Sequence, residues 1–489
     1  MPFLLLAILF FFGVALNLFS NYNLPLNRPY TLRNSEPFLL EREYHRMISG
    51  EGPRTYIFPR PCISPLDSSN VCRDTAWLNF GTDDHDSFLN VYPLAGIEYR
   101  YMHENVEVFD GGLNVAGYKG RLSFYLDARM FVEFHDDYHL SAYAYDREFI
   151  EKQLEEEKSG SIFYSSFSRY RASMNYDFIW GRLTAAHDAV HWGPGLFTNL
   201  NFHQDAVPFN YLVFTTDFGP FSLASLYGQP LFDDSRNRDT NDFRALYAHR
   251  YEYSPVPNLL LGITEQLIIY NDTEPFLFLI PVSPLYMQKG LNRERDNNGN
   301  LAMDVNYRIP GMGHIYSEFL IDDIQSPTSL FNDHWANKWA WMAGTHFIMD
   351  LPFFSSGLIA EYSRLEPWVY THYDSSTAQA ASGGYPLGNQ LGPNSQTLVG
   401  KMYIRDGSKW YTSCRLELIW KGRDPGSEIN DEVTSPARRD PKIFINGISS
   451  PAVIFSPHVA YQWKWINLSA SLRAEEDGTT SYFRIQYQY

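Results

Sequence analysis

Beyond residue 18 this chain has no apolar run of the roughly 20 residues that a membrane-crossing helix requires. A bundle of transmembrane helices is therefore excluded. Cysteine is scarce: three residues are too few for a disulfide scaffold. Cys62 and Cys72 lie close together in a Pro-rich stretch and could pair in an oxidising compartment, whereas Cys414 falls on the apolar side of an alternating segment, as inert wall. Basic charge is in short supply too, with 39 Lys and Arg against 56 Asp and Glu and a formal net charge of −17. Nucleic acid is thereby excluded as a partner, because backbone phosphates need clustered cations. The same acidic field repels a polyanionic sugar unless contacts are local or bridged by divalent cations.

Catalytic motifs are missing as well. No G-x-S-x-G and no P-loop occurs. His187 and His191 stand at i,i+4 spacing, but no Glu follows the first His as a zincin general base would, and the stretch has a loop-like sequence. Gly311-Met312-Gly313 lacks the third glycine of a dinucleotide fingerprint, and Asp322-Asp323 has the look of a hydrated strand end. We therefore expect no enzymatic activity, no cofactor and no metal.

What the chain does have is aromatic residues, 34 Tyr and 35 Phe, and a long series of period-2 segments. About eighteen such segments follow one another, at 94 to 104, 106 to 117, 121 to 134, 162 to 174, 177 to 185, 209 to 216, 221 to 228, 243 to 253, 258 to 269, 301 to 309, 313 to 322, 337 to 348, 355 to 365, 397 to 405, 410 to 421, 453 to 462, 464 to 473 and 479 to 489. Breaks after even-numbered segments are tight and rich in turn residues: 118 to 120, 175 to 177, 217 to 220, 254 to 257, 310 to 312 and 406 to 408. Most breaks after odd-numbered segments are long, at 135 to 161, 186 to 208, 270 to 300, 366 to 396 and 422 to 452. Short turns at one end and long loops at the other are the rhythm of an outer-membrane barrel. The fold predicted is all-β, a transmembrane antiparallel up-and-down β-barrel of about 18 strands, located in the bacterial outer membrane with lipid around it and delivered by the barrel-insertion machinery. A soluble sandwich would alternate too, but aromatic girdles at two membrane interfaces explain the Tyr and Phe load. A mean hydropathy of −0.32 does not discriminate, since it is that of a soluble chain while barrels place apolar residues only at every second position.

Three regions follow. Residues 1–20, with an apolar stretch from Phe3 to Leu18, fit a signal peptide, although no Lys or Arg precedes the stretch. Residues 21–93 form a small N-terminal periplasmic helical region, in which Ser35 caps a helix ending at Gly50. Residues 94–489 are the barrel. A second helix is predicted from Asp146 to Lys158 in the loop after the third strand, with Glu148 and Lys152 paired at i,i+4.

Several stretches resemble the Wzi-type capsule-assembly outer-membrane family. His191-Trp192-Gly193-Pro194-Gly195-Leu196 and His203-Gln204-Asp205-Ala206-Val207-Pro208-Phe209 are similar to its W-G-P-G and N-A-P-P-like segment. Tyr316 to Asp323 resembles its strand ending in E-F-x-x-D-D, and Glu366 to Tyr373 with Tyr385 to Pro393 resembles its P-L-G-x-x-L-G-P loop. The chain departs from the pattern at His191, Gln204-Asp205 and Val207. The resemblance implies an eighteen-stranded barrel with periplasmic helices, acting as a surface lectin for exported polysaccharide.

A sugar site needs aromatic planes for the C–H face and polar groups for the hydroxyls. The outer loops supply Trp192, Trp335, Trp368, Tyr370, Tyr373 and Tyr385 as stacking candidates, and Asp205, Asp322, Asp323, Asn389 and Gln390 as polar partners. The function expected is a polysaccharide-binding barrel that anchors or organises capsular or other extracellular polysaccharide. A porin or substrate channel is the alternative, and an outer-membrane hydrolase comes third. The long outer loops are expected to fold into the lumen, because connections of that length need something to pack on.

Overall fold

The computed structural model describes residues 57–58, 78–81, 87–101, 105–135, 155–159, 162–232, 243–270, 277–281, 284–285, 297–351, 354–372, 378–405, 409–423, 425–431, 441–445, 451–463, 466–475 and 478–488. The predicted signal peptide, the helix after Ser35, the Cys62 and Cys72 pair, and Tyr373 lie outside them.

Eighteen antiparallel strands of the described residues close into one barrel. They are β1 (Ser87–Tyr101), β2 (Asn105–Lys119), β3 (Leu122–His135), β4 (Ile162–Asp177), β5 (Arg182–Asp188), β6 (Phe209–Phe218), β7 (Phe221–Gln229), β8 (Arg244–Val256), β9 (Leu259–Tyr270), β10 (Asn297–Ile309), β11 (Gly313–Asp323), β12 (Lys338–Leu351), β13 (Phe354–Leu365), β14 (Ser395–Arg405), β15 (Trp410–Lys421), β16 (Ala452–Trp463), β17 (Ile466–Glu475) and β18 (Gly478–Gln488). Each pairs with the next, and β18 closes on β1 with Arg484 opposite Glu98. Closure gives every strand a paired neighbour on each side along its shared length, which is what allows strands to cross lipid.

The alternation decides which way each face points. On β18, Phe483 and Ile485 are 48% and 41% exposed while Arg484 between them is 7% exposed. Arg484 points inward, where its Nη1 donates to Glu98 Oε2 at 3.2 Å and its Nη2 to Asp110 Oδ2 at 2.9 Å. Arg129 on β3 carries the ladder on, donating to both oxygens of Asp127 at 2.9 and 3.0 Å. On the far wall Arg250 is clamped by Glu252 and Asp304, each at 2.7 Å. Buried charges stay ionised only when paired in this way.

Turns at the short end match the sequence where glycine is required: Gly120, Gly219 and Gly311 have φ of 59°, 62° and 71°. A left-handed backbone favours glycine there. The fourth connection differs from the prediction. Asn175-Tyr176-Asp177 belongs to β4, and the turn is Phe178-Ile179-Trp180-Gly181, closed by Phe178 N–H donating to Gly181 O at 2.7 Å. Those apolar residues look like strand in sequence, yet Trp180 is 63% exposed and stacks on Phe178 at 5.4 Å, as expected of aromatics at a membrane interface. Accordingly β5 begins at Arg182, so His187 lies in a strand and not in a loop; it faces outward and stacks on Tyr170.

Two other predictions are corrected. Within the predicted helix from Asp146, residues Glu155–Ser159 form a strand paired with Ser166–Ile162 of β4, since the free edge of β4 supplies a ladder that outweighs the helical spacing. The first stave begins at Ser87, and Leu78–Gly81 pairs with its lower part.

The connection after β9 was expected to behave as the other outer loops. Its described part instead lies on the outside of the wall. Phe278 and Leu285 pack on outward-facing Ala245, Tyr247, Leu267 and Ile269. Outward polar groups beneath are satisfied by this strap: Ser225 Oγ donates to Leu279 O at 2.8 Å, Tyr251 Oη to Pro281 O at 3.1 Å, and Leu285 N–H to Glu265 Oε2 at 2.7 Å. Irregular backbone beside lipid is tolerated only when protein satisfies it. Replacing Phe278 by Ala should remove about 3–5 kcal/mol of local packing. Limited proteolysis should then cut within 277–285 while heat-modifiable gel mobility of the barrel is kept; an uncut segment would show that Phe278 does not hold the strap.

Candidate functional site

The three stretches that carry the family resemblance meet inside the barrel. Residues 189–204 leave β5, fold into the lumen and are buried almost throughout. The wall holds them by carboxylates. Glu361, facing inward on β13, accepts four hydrogen bonds: from Leu196 N–H at 2.6 Å, Phe197 N–H at 3.0 Å, Thr198 Oγ1 at 2.8 Å and Tyr316 Oη at 2.7 Å. Glu318 on β11 accepts from Leu200 N–H at 2.8 Å. Loop backbone that turns inward must find acceptors and donors there, and two strand carboxylates provide them.

Local sequence explains the shape of this plug. Gly193 has φ of 111°, and a side chain at Gly195 would collide with Asn199 Oδ1, which accepts the Gly195 N–H at 2.5 Å. Asn199 Nδ2 donates to the carbonyls of Trp192 and Phe202, so one amide staples both arms of the loop. Trp192 packs edge-on against Phe202 at 5.2 Å, and its backbone pairs with Ile57 of an N-terminal segment.

The loop after β13 lies against the first. Asp322 Oδ2 accepts the Tyr370 N–H at 2.8 Å, and Tyr370 Oη donates to Leu200 O at 2.5 Å while accepting the Asn389 N–H at 3.1 Å. Burial pushes the Tyr370 phenol well above its ordinary pKa, which keeps the donating proton in place. Gly388 sits so close that a Cβ would lie 1.9 Å from Leu200 O. Trp368 and Tyr370 have φ of 72° and 70°, unusual for non-glycine residues and typical of sites held in shape by their surroundings. Trp368 N–H donates to Gly426 O at 2.9 Å and its ring covers Gly426.

Together these loops form one apolar core with inward residues of β6 to β13, among them Phe209, Leu226, Ile268, Tyr316, Met342 and Leu365. The plug thus leans on half of the wall. The sequence candidates separate accordingly. Trp192, Trp368, Tyr370, Asp322 and Asn389 are buried and tie the plug together, with Trp368 and Tyr370 only 3% and 1% exposed. Asn389 Nδ2 donates to Ser363 Oγ at 3.1 Å and its Oδ1 accepts Leu391 N–H at 3.0 Å. Tyr385 and Asp205 are exposed, and Trp335, Asp323 and Gln390 are half-buried. Asp205 lies 3.6 Å from His203, Asp323 accepts its own neighbour's Ile324 N–H, and Gln390 donates to Pro386 O and Gly388 O. Glu361, the most connected group of the site, was not among the sequence candidates.

The chain is an outer-membrane β-barrel. Among solved structures it is similar to Wzi, an outer-membrane protein involved in group 1 capsule assembly in Escherichia coli and a carbohydrate-binding β-barrel, at 13% identity with a TM-score of 0.51, covering 82% of this chain and 84% of that one. It is also similar to OccAB2 of Acinetobacter baumannii, at 12% identity and TM-score 0.43 over 83% of this chain and 98% of that one. OccK9 (OpdG) of Pseudomonas aeruginosa matches at 9% identity and TM-score 0.45 over 84% and 99%. No family model and no curated protein matches. At these identities the likeness speaks for the barrel fold.

Proposed function

We propose that this barrel binds exported polysaccharide at its outer mouth and holds or organises it at the cell surface, without catalysis. The observation that carries the reading is the plug: the loops after β5 and β13 fill the lumen, while Asp205, Tyr385 and Gln390 on them, and Trp335 on the connection after β11, remain at least partly accessible. The carbohydrate-binding Wzi barrel, similar in fold, and the meeting of the Wzi-like stretches within the plug support it. Single contacts of this kind are weak, each hydrogen bond netting about 0.5–1.5 kcal/mol, so retention would come from many repeats engaging many barrels.

Substitution separates the recognising residues from the structural ones. Replacing Trp335 and Tyr385 together by Ala should release polysaccharide from the cell surface while gel mobility and bilayer conductance stay as in the parent. Retention that does not change in a correctly assembled double variant would remove these rings from the proposed site. A substrate channel is the second reading, favoured by the charged wall of β1 to β4, from which neither apolar cluster of the plug draws a member among the described residues.

A further inference from the structure

A depression of about 480 Å³ interrupts the lipid-facing wall on β4 to β7. The outward side chains around it stand in two cross-strand rows. His187 on β5, Asn210 on β6 and Gln229 on β7 are successive partners in one row, and Met174 on β4, Ala185, Leu212 and Tyr227 are successive partners in the other. One row is polar and the other apolar. The polar row lies nearer the strand ends that carry the long outer loops, so it is the outer of the two. Strand length gives its depth: β6 has ten residues, about what a tilted strand needs to cross the hydrocarbon, and Asn210 is the second of them while Phe218, exposed at the short-turn end, is the last. The polar row therefore stands at the outer head-group level, with the apolar row in the acyl region beneath it.

The shape of the depression comes from its flanks. Ala185 keeps the floor low between Met174 and Leu212, which are 53% and 46% exposed. A ridge rises on the β7 side, where Tyr227 packs on Tyr247 at 5.3 Å and Tyr247 packs on Phe278 of the outer strap at 5.3 Å. On the β4 side Tyr170 stacks on the His187 ring at 4.3 Å. Within the polar row, His187 Nδ1 lies 2.9 Å from Asn210 Oδ1, and Gln229 Nε2 donates to Tyr227 Oη at 3.1 Å. Those contacts fix the row and leave the second ring nitrogen, the Asn210 NH2 and the Gln229 carbonyl for a ligand. Apolar contact does not distinguish one chain from another in hydrocarbon, so selectivity falls to the polar row. No Asp, Glu, Lys or Arg is among the described residues that line the depression. Its chemistry suits neutral donors and acceptors, not an ionic head.

We propose that this depression binds an outer-leaflet lipid with a neutral glycosyl head. One acyl chain lies over Ala185 between Met174 and Leu212, and the sugar hydroxyls bond the row of His187, Asn210 and Gln229. The surface is continuous with the lipid-facing wall, and its order of polar above apolar is the order of a lipid in that leaflet; a second barrel packed sideways has no need of it. Because the site is on the outside of the barrel, it does not rest on the polysaccharide reading of the mouth.

Native mass spectrometry of the purified full-length barrel in an amine-oxide detergent, titrated with monoglucosyl diacylglycerol and with phosphatidylglycerol of the same chains, tests it. One glucosyl lipid per barrel should be retained, about fivefold or more tighter than phosphatidylglycerol, and added salt should leave that binding unchanged. Ala185→Trp fills the floor and should abolish the adduct, whereas Met303→Trp, at an exposed outward position of β10, should keep it. His187→Leu with Asn210→Leu preserves the chain groove and removes most of the polar row, so the preference between the two lipids should disappear while heat-modifiable gel mobility stays as in the parent. Absence of an adduct, equal or stronger retention of phosphatidylglycerol, or full retention in a folded Ala185→Trp barrel would overturn the proposal. A dimer of the parent that Ala185→Trp separates would overturn it too, by giving this face to a second copy. Trp335 and Tyr385 substitutions should leave the adduct unchanged, so the two readings fail separately.

Discussion

Replacing residues 193–204 with a short Gly/Ser linker is expected to turn the barrel into an open pore. Conductance in planar bilayers should rise by on the order of tenfold or more, because an unplugged barrel of this strand number leaves an aqueous channel. The wall should survive the change. Asp188 and Phe209, the strand ends from which the whole connection leaves and to which it returns, are already cross-strand partners, so the shortened connection joins β5 to β6 without moving either. The deletion also uncovers apolar inward residues such as Phe209, Leu226 and Met342, which now pack on the plug. Some loss of thermal stability should accompany the gain in current. A folded variant that conducts no better than the parent would show that something other than this loop closes the lumen.

The wall was legible because a barrel states its geometry locally. Period-2 alternation places Leu122, Phe124 and Leu126 against Ser123, Tyr125 and Asp127 whatever the rest of the chain does, and the structure puts Tyr125 and Asp127 inside and Leu122 outside. Turns were legible where glycine marked them and illegible where interface aromatics replaced turn residues, as at Phe178-Ile179-Trp180. The strap after β9 escaped because the apolar run from Phe276 to Val282 could as easily fill a lumen as cover an outer wall. Only the polar outward residues Ser225 and Glu265, odd choices for a lipid face, hinted at a covering segment.

The site was legible as loops and not as roles. Aromatic residues in a long outer loop fit sugar stacking and plug packing equally well, and nothing in the spacing of Trp368 and Tyr370 says that their backbones turn left-handed into the lumen. What decides between the roles is the acceptor waiting inside. Such an acceptor is a single carboxylate on an inward strand position, indistinguishable in sequence from the many polar residues that any barrel lumen carries. Glu318 came into view only within a stretch resembling the Wzi-type family, and Glu361 not at all.

Glu361 should consequently be the most sensitive single position of the plug. Its carboxylate binds two backbone N–H groups, one Thr hydroxyl and one Tyr hydroxyl, all within 3.0 Å. Glu361→Ala leaves the Leu196 and Phe197 N–H groups buried and unsatisfied, at about 1–3 kcal/mol each, and deletes contacts to a charged acceptor. Glu361→Gln keeps one acceptor oxygen but turns an NH2 group toward donors, so its effect should be smaller than that of Ala and still destabilising. The wall has no such dependence, since Glu361 takes part in its ladder through backbone alone, opposite Gly344 and Val399. Hydrogen exchange at residues 195–201 should therefore accelerate by on the order of a hundredfold in Glu361→Ala, and single-barrel recordings should flicker between closed and open levels. Exchange in β11, β13 and β14 should stay slow. If the amides of 195–201 remain as protected as in the parent, the plug is held by its apolar packing alone, and the carboxylate anchor has no energetic role.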